Sequence, residues 1–247
     1  MPEQSPLMTD FPKLDCPFIR KTFRVDEDDY KKNGRKMQLR EPAAYLVVNE
    51  INPGYEWVFE DPETIAVEKL HGTNVKLKTE KGRLIALQNR KNVIDPLQIV
   101  GGQSAIVEGV LMSAFKDLVE RDGEQAGEVI GPKLQNNPYK LPHHLWYPFQ
   151  KSITSLRYKS FDKFDRNFDN WSSWFKEHLF SLFYCAYHKI PHKDCDVMAE
   201  GVIFYNLKRK AEYKTWMAKL RRDMYPWYYE GQVRIYEEIP NRVIEES

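Results

Sequence analysis

The chain has 247 residues, with Lys and Arg numbering 37 against 36 Asp and Glu, for a formal net charge of +1. That balance excludes a protein that grips polyanions by bulk charge, so any basic footprint for nucleic acid has to be local. Three cysteines, no apolar leader and no membrane-length apolar run predict a reducing, cytoplasmic setting with no membrane partner, and 42% hydrophobic residues supply a core for one large domain or two small ones.

Residues 1–60 begin with Pro2, Pro6 and Pro12, which disfavour a helix at the start. Arg20, Lys21, Arg24, Lys31, Lys32, Arg35, Lys36 and Arg40 follow as a basic stretch broken by Asp26, Glu27, Asp28 and Asp29. Mixed charge of this kind reads as a solvated face more readily than as a contact to a phosphate backbone. Ala44 to Val48 predicts a strand and Asn52-Pro53-Gly54 a turn. The whole segment is expected to pack on the core as an arm or lid.

Thr64 to Val67 predicts a buried strand and Val75 to Lys78 a half-exposed one. Between them lies Glu68-Lys69-Leu70-His71-Gly72-Thr73-Asn74. A lysine is nucleophilic once burial or neighbouring cations disfavour its protonated form, and a nearby glycine lets backbone N–H groups approach a phosphate. Lysine and glycine at this spacing are, on their own, commoner as a surface residue beside a turn. Lys76 to Lys78, a turn at Lys81-Gly82 and Leu84 to Gln88 then predict a hairpin that ends at Asn89-Arg90.

Ala105 to Glu120 carries Ile106, Val107, Val110, Leu111, Ala114, Phe115 and Leu118 at helical spacing and predicts a core-facing helix. Gly127-Glu128-Val129-Ile130-Gly131-Pro132 reads as a strand, and Leu145-Trp146-Tyr147-Pro148-Phe149 as an aromatic one. Aromatics from Phe161 to Tyr187, three and four apart, predict helices packed on a sheet rather than a base-stacking platform. Cys185, His188, His192 and Cys195 are zinc-competent by type, yet so short a segment leaves little structure for a zinc ion to anchor. Ala199 to Tyr205 is a strand opened by Glu200-Gly201. For a basic strand with alternate residues on one face, Lys208-Arg209-Lys210 competes with Met217 to Asp223, and the second alternates as a half-buried strand should.

From Glu68 to Asp223 these segments resemble the covalent nucleotidyltransferases, the superfamily of polynucleotide ligases and mRNA capping enzymes. His71 followed by Gly72-Thr73-Asn74, where most of that superfamily has aspartate, is similar to the RNA ligase 2-type branch of ATP-dependent RNA ligases. The resemblance implies an α+β fold: a nucleotidyltransferase (adenylation) domain with antiparallel sheets flanking an ATP cleft. Its divisions would be residues 1–60 as arm or lid, 61–223 as the adenylyltransferase domain and 224–247 as a short tail, too short for an OB-fold or helical domain.

The resemblance also assigns roles. Lys69 would form a covalent lysyl-AMP, with His71 and Asn74 acting around the phosphate in later steps. Glu68, Lys69, Arg90, Glu128, Phe149, Lys219 and Arg221 would bind ATP: Arg90 on a phosphate, Glu128 on the ribose, Phe149 (or Tyr147) stacked on the purine. Glu200 would support a divalent metal, Mg²⁺ or Mn²⁺ by its oxygen chemistry. Arg221 stands where the family usually has lysine. The implied activity is joining of RNA 5′-phosphate and 3′-OH ends in RNA repair, through an AMP-capped RNA. Lys208, Arg209, Lys210 and Lys214 are a candidate contact to the RNA backbone, with a partner protein as a further source of grip. Alternatives are a GTP-dependent capping guanylyltransferase, a DNA ligase, and a noncatalytic RNA- or partner-binding module.

Overall fold

The computed structural model describes residues 8–11, 13–97, 101, 103–119, 122–209 and 216–243. Lys210 and Lys214 of the candidate RNA contact, and Pro2, Pro6 and Pro12, lie outside them. The strands are β1 (Phe18–Val25), β2 (Ala43–Ile51), β3 (Thr64–Lys69), β4 (Thr73–Glu80), β5 (Arg83–Asn89), β6 (Asn92–Val93), β7 (Gly123–Ile130), β8 (Leu145–Pro148), β9 (Gly201–Asn206), β10 (Met217–Arg221) and β11 (Ile235–Glu238). The helices are α1 (Glu27–Asn33), α2 (Trp57–Glu60), α3 (Ser104–Phe115), α4 (Phe149–Ser155), α5 (Phe168–Glu177) and α6 (Leu182–His188). Among the described residues no helix is long and apolar enough to cross a membrane.

The result is a mixed α/β chain with antiparallel sheets in two compact units. The first unit takes the described residues of Met1–Lys13, Val67–Arg157 and Phe180–Ala199. Its centre is a five-stranded sheet in the order β6-β5-β4-β7-β8. Alternation along β4 sends Val75 and Leu77 to one face, where they join Leu87, Val129 and Trp146 beneath Ile106, Val107 and Val110 of α3. That face is a hydrophobic core. Asn74, Lys76 and Lys78, of opposite parity, point the other way. Helix α3 ends at Phe115, five residues short of the predicted Glu120. Leu111 and Phe115, expected in the core, are 52% and 84% exposed because they fall on the far side of α3 from the buried Ile106, Gly109 and Ser113.

The second unit takes Leu14–Ala66, Tyr158–Leu179 and the described residues of Glu200–Ser247. It holds the sheets β11-β1-β2 and β10-β9-β3, the latter through the first half of β3. The first part of the aromatic run, to Phe175, joins its core: Phe59 stacks on Trp171 at 4.8 Å, Trp171 on Phe204 at 4.9 Å, and Phe161 is buried beside both. Asn167 caps α5 by accepting from the Asn170 N–H.

The second unit draws on widely separated stretches of chain. Strands β1 and β2 of the expected arm form one sheet with β11 of the expected tail. Such pairing across two hundred residues has no local signature in composition. Several basic residues of the early stretch pair with carboxylates, Lys21 with Glu50 at 3.2 Å and Arg24 with Glu237 at 2.9 Å.

Candidate active site

Lys69 ends β3, and its main chain is fixed from both sides. The Val67 bridge to Arg157 and the Glu68 N–H, which donates to the Leu156 carbonyl at 2.9 Å, hold the strand. Past it, the His71 N–H donates to the Tyr139 hydroxyl at 2.8 Å. Lys69 itself is half-buried, with Nζ 3.5 Å from the Leu70 carbonyl.

Glu68 lies elsewhere than the sequence suggests. Only 2% exposed, it accepts from the Ser181 hydroxyl at 2.6 Å and from the Phe183 N–H at 2.7 Å. Ser181 is the N-cap of α6, so this carboxylate and its cap together satisfy the opening turn of that helix. Burial pushes the Glu68 carboxyl up to about 7, against these hydrogen bonds, which favour the ionised form. Alternation along β3 turns Glu68 inward while Lys69 turns out, and a buried helix cap is not a ligand-facing group.

Gly72 also has a different reason to be glycine. A Cβ there would stand 2.1 Å from the Val129 carbonyl oxygen and 2.8 Å from Ile130 Cγ2, so the turn into β4 lies flat on β7. Its bareness serves strand packing. Gly72→Ala is expected to cost about 2–3 kcal/mol of stability, because the neighbour in its way is sheet backbone. Denaturant unfolding of the variant checks this; an unchanged midpoint would show the turn free to move.

Strand register brings together three of the predicted positions. Asn74 on β4 is the Cα partner of Glu128 on β7, and Glu128 is the partner of Tyr147 on β8. Direct partners in antiparallel strands share a face, so these side chains form one row across the sheet, opposite the α3 core. Glu128 is 4% exposed, not a solvated edge residue. Tyr147 is 9% exposed and packs edge-on against Phe183 of α6 at 5.2 Å. Phe149 is half-buried and opens α4. The expected strand to residue 149 stops at Pro148, which has no N–H for the ladder and sets the extended cap of the helix. Arg90 is exposed just past β5, in a left-handed conformation with φ of 52°.

Glu200, Lys219 and Arg221 belong to the second unit. Glu200 precedes β9, its carbonyl accepting from the Arg222 N–H at 3.0 Å. Gly201 is the Cα partner of Arg221, and Ile203 of Lys219, which puts both basic residues on the face opposite the buried Ala218 and Leu220. A Cβ on Gly201 would stand 2.3 Å from the Leu220 carbonyl oxygen, so the Glu-Gly pair is set by the closeness of β10. Arg221 pairs with Asp223 at 3.0 Å. The competing basic run is engaged by acids, Lys208 with Glu63 at 2.7 Å and Arg209 with Asp61 at 2.6 Å.

The four zinc-competent residues do not converge: among the described residues no group of three or more His, Cys, Asp and Glu can hold a metal ion. Burial and the neighbouring Cys195 push the Cys185 thiol up to about 12, while His188 bonds the Tyr139 carbonyl at 2.9 Å and His192 packs edge-on against Phe180. Sequence reasoning missed Tyr139 and Ser181, which position the lysine turn and its strand. The only sequence signal was Ser181 ahead of an apolar helix, a cap pattern that does not name Glu68 as its partner.

No protein-family model matches the chain, and no curated protein matches it. Among solved structures it is similar to those of a Naegleria gruberi RNA ligase. A mutant of that enzyme with ATP and Mn aligns at 14% identity and a TM-score of 0.41, over 92% of this chain and 61% of that one. The enzyme with PPi aligns at 13% identity and a TM-score of 0.40 over the same shares. A second mutant with ATP and Mn aligns at 14% identity and a TM-score of 0.39, over 68% of this chain and 51% of that one. The chain thus spans between half and two thirds of the length of the structures it matches.

Proposed function

We propose that this chain is an ATP-dependent RNA ligase of the RNA ligase 2-type branch, joining RNA ends in repair. The reading is carried by one observation: Asn74 and Glu128 stand side by side on the sheet face opposite the α3 core, and the turn into that sheet is anchored directly after Lys69. A nucleophile, a polar amide and an acceptor-only carboxylate in that order suit a nucleoside triphosphate.

The Lys69 amine attacks the α-phosphorus of ATP, forming an N–P bond as the bond to pyrophosphate breaks and the amine proton leaves. AMP then passes to an RNA 5′-phosphate, and the RNA 3′-OH displaces AMP to close the phosphodiester. Glu128 holds the ribose hydroxyls, Arg90 a phosphate, and Phe149, with a ring less enclosed than that of Tyr147, stacks on the purine. His71 and Asn74 act around the phosphate in the later steps. Lys219 and Arg221 stabilise charge that develops on the α-phosphate.

Glu200 is the residue that would hold a divalent metal. One carboxylate suits Mg²⁺ or Mn²⁺, which keep waters and phosphate oxygens as their other ligands, and the metal would supply charge neutralisation at the phosphate. Lys219→Ala is expected to slow adenylate formation by roughly 10²-fold, the scale of losing one preorganised charge partner. Single-turnover kinetics at saturating ATP read this, and an unchanged rate would remove Lys219 from the site.

The test of the reading is incubation with radiolabelled ATP or GTP and Mg²⁺, followed by denaturing electrophoresis and then addition of 5′-phosphate RNA. A labelled adenylate that moves to RNA supports ligation, whereas a guanylate adduct points to capping. No adduct from folded protein that is not already adenylated would overturn the proposal.

A further inference from the structure

A short piece of chain lies across the face of the five-stranded sheet opposite the α3 core, and the roles above do not use it. Residues 8–11 are seated there through their main chain. The Met8 N–H donates to Gln88 Oε1 at 3.1 Å, and Gln88 Nε2 donates back to the Met8 carbonyl at 2.8 Å. Gln88 is 1% exposed, so these bonds sit where an unpaired amide would be costly. Lys76 Nζ donates to the Thr9 carbonyl at 2.6 Å. Gln88 and Lys76 are direct Cα partners on β5 and β4, and the partner of Lys76 on β7 is Ala126.

The segment therefore follows the row Gln88–Lys76–Ala126, the neighbour of the row Asn74–Glu128–Tyr147. Adjacent rows on one face are two residues apart along each strand, about 7 Å. That is the reach from a ribose on Glu128 to its base. The segment ends by delivering a side chain: the Phe11 ring lies 5.1 Å from Lys76 Nζ and 6.1 Å from the Phe149 ring, at 75° to it. Both rings are only half-buried, so each keeps surface open to a further planar group.

We propose that Phe11 is a base-contacting residue, the second wall of an aromatic corner whose first wall is Phe149. The inference rests on the adenylation reading, which places the ribose on Glu128. The main chain of residues 8 and 9 and the buried Met8 side chain hold the seat, and the aromatic at position 11 is what the strap contributes to the site. Two rings near a right angle present a stacking face to a purine and a second ring to its edge, the geometry in which aromatic groups attract.

Calorimetry on the full chain in EDTA, which halts turnover, separates the outcomes. The probes are ATP and inorganic tripolyphosphate, which has no base. Phe11→Ala is expected to weaken ATP binding roughly tenfold, within the range for one stacked base. Tripolyphosphate binding should be unchanged, and Phe11→Tyr should restore ATP binding. Equal weakening of both ligands would mean that Phe11 only supports the fold, and overturns the proposal. So would unchanged ATP binding, or tighter binding, which would make the strap an occluding segment. Wild-type protein that binds ATP with this Phe11 dependence and yet forms no adduct refutes the ligase reading and leaves the base contact standing. No ATP binding by wild-type protein that is folded and not already adenylated refutes both.

Discussion

Lys69→Ala is expected to abolish the covalent adenylate, leaving less than about 10⁻⁴ of the wild-type rate, because no other group replaces a nucleophile that forms the bond itself. The fold should survive. The contacts that fix this turn, the Glu68 N–H on Leu156, the Val67 bridge to Arg157 and the His71 N–H on Tyr139, are made by main chain or by neighbours. Unfolding free energy should therefore change by about 0.5–1 kcal/mol or less, the ordinary range for a half-exposed side chain. Lys69→Arg should be as inactive as alanine, since a guanidinium stays protonated and offers no free pair to phosphorus. Denaturing electrophoresis with labelled ATP, alongside a thermal melt, checks both halves. An adduct retained by either variant would place the nucleophile elsewhere.

Glu68 should make the protein lose stability as the solution turns from acid to neutral. Its carboxyl is pushed up to about 7 from an ordinary 4.5, so the folded state holds the proton more tightly than the unfolded chain does. That contribution is complete below pH 4.5 and is lost as pH rises through 7, a span worth roughly 3 kcal/mol. Glu68→Gln should flatten this part of the profile between pH 5 and 8. The variant carries its own constant cost, since an amide cannot accept from both Ser181 and Phe183 with both of its polar atoms. Urea unfolding at several pH values gives the slope. If wild type and Glu68→Gln show parallel profiles, Glu68 is ionised across the whole range and its hydrogen bonds outweigh burial.

The hairpin from Lys76 to Gln88 was legible because alternation and a Lys81-Gly82 turn are local signals, and β4 and β5 pair across that turn. Much of the aromatic run is core for the same kind of reason, with Trp171 and Phe175 fully buried at helical spacing in α5, while Tyr187 at its end is exposed. The basic strand was picked out by its period of two, and Lys219 and Arg221 do share a face. Individual neighbours are not legible in the same way. Glu68 adjoins Lys69 in sequence and was grouped with it, yet alternation along β3 sends one inward and the other outward. A Cβ on Gly72 would meet β7, a contact that no local feature of the sequence announces.

The strap across the site face had no signal at all. Met8, Thr9 and Phe11 bear no pattern that names Gln88, Lys76 and Phe149 as their partners, because hydrogen bonds over a separation of eighty residues depend on where the sheet places its side chains.

The sequence by itself determined where Lys69 stands and its His-Gly-Thr-Asn context, the parity of the strands that follow and the aromatic residues buried in the core. These are properties of residue type and short spacing, which the chain carries in any conformation. Tertiary structure alone decided which residues become neighbours: the Asn74–Glu128–Tyr147 row, the Glu68 cap on α6, the pairing of β11 with β1 and the seat of residues 8–11. Register and packing are contacts between distant segments, fixed by the collective fit of buried surfaces and hydrogen-bond ladders, and no local stretch of sequence contains them.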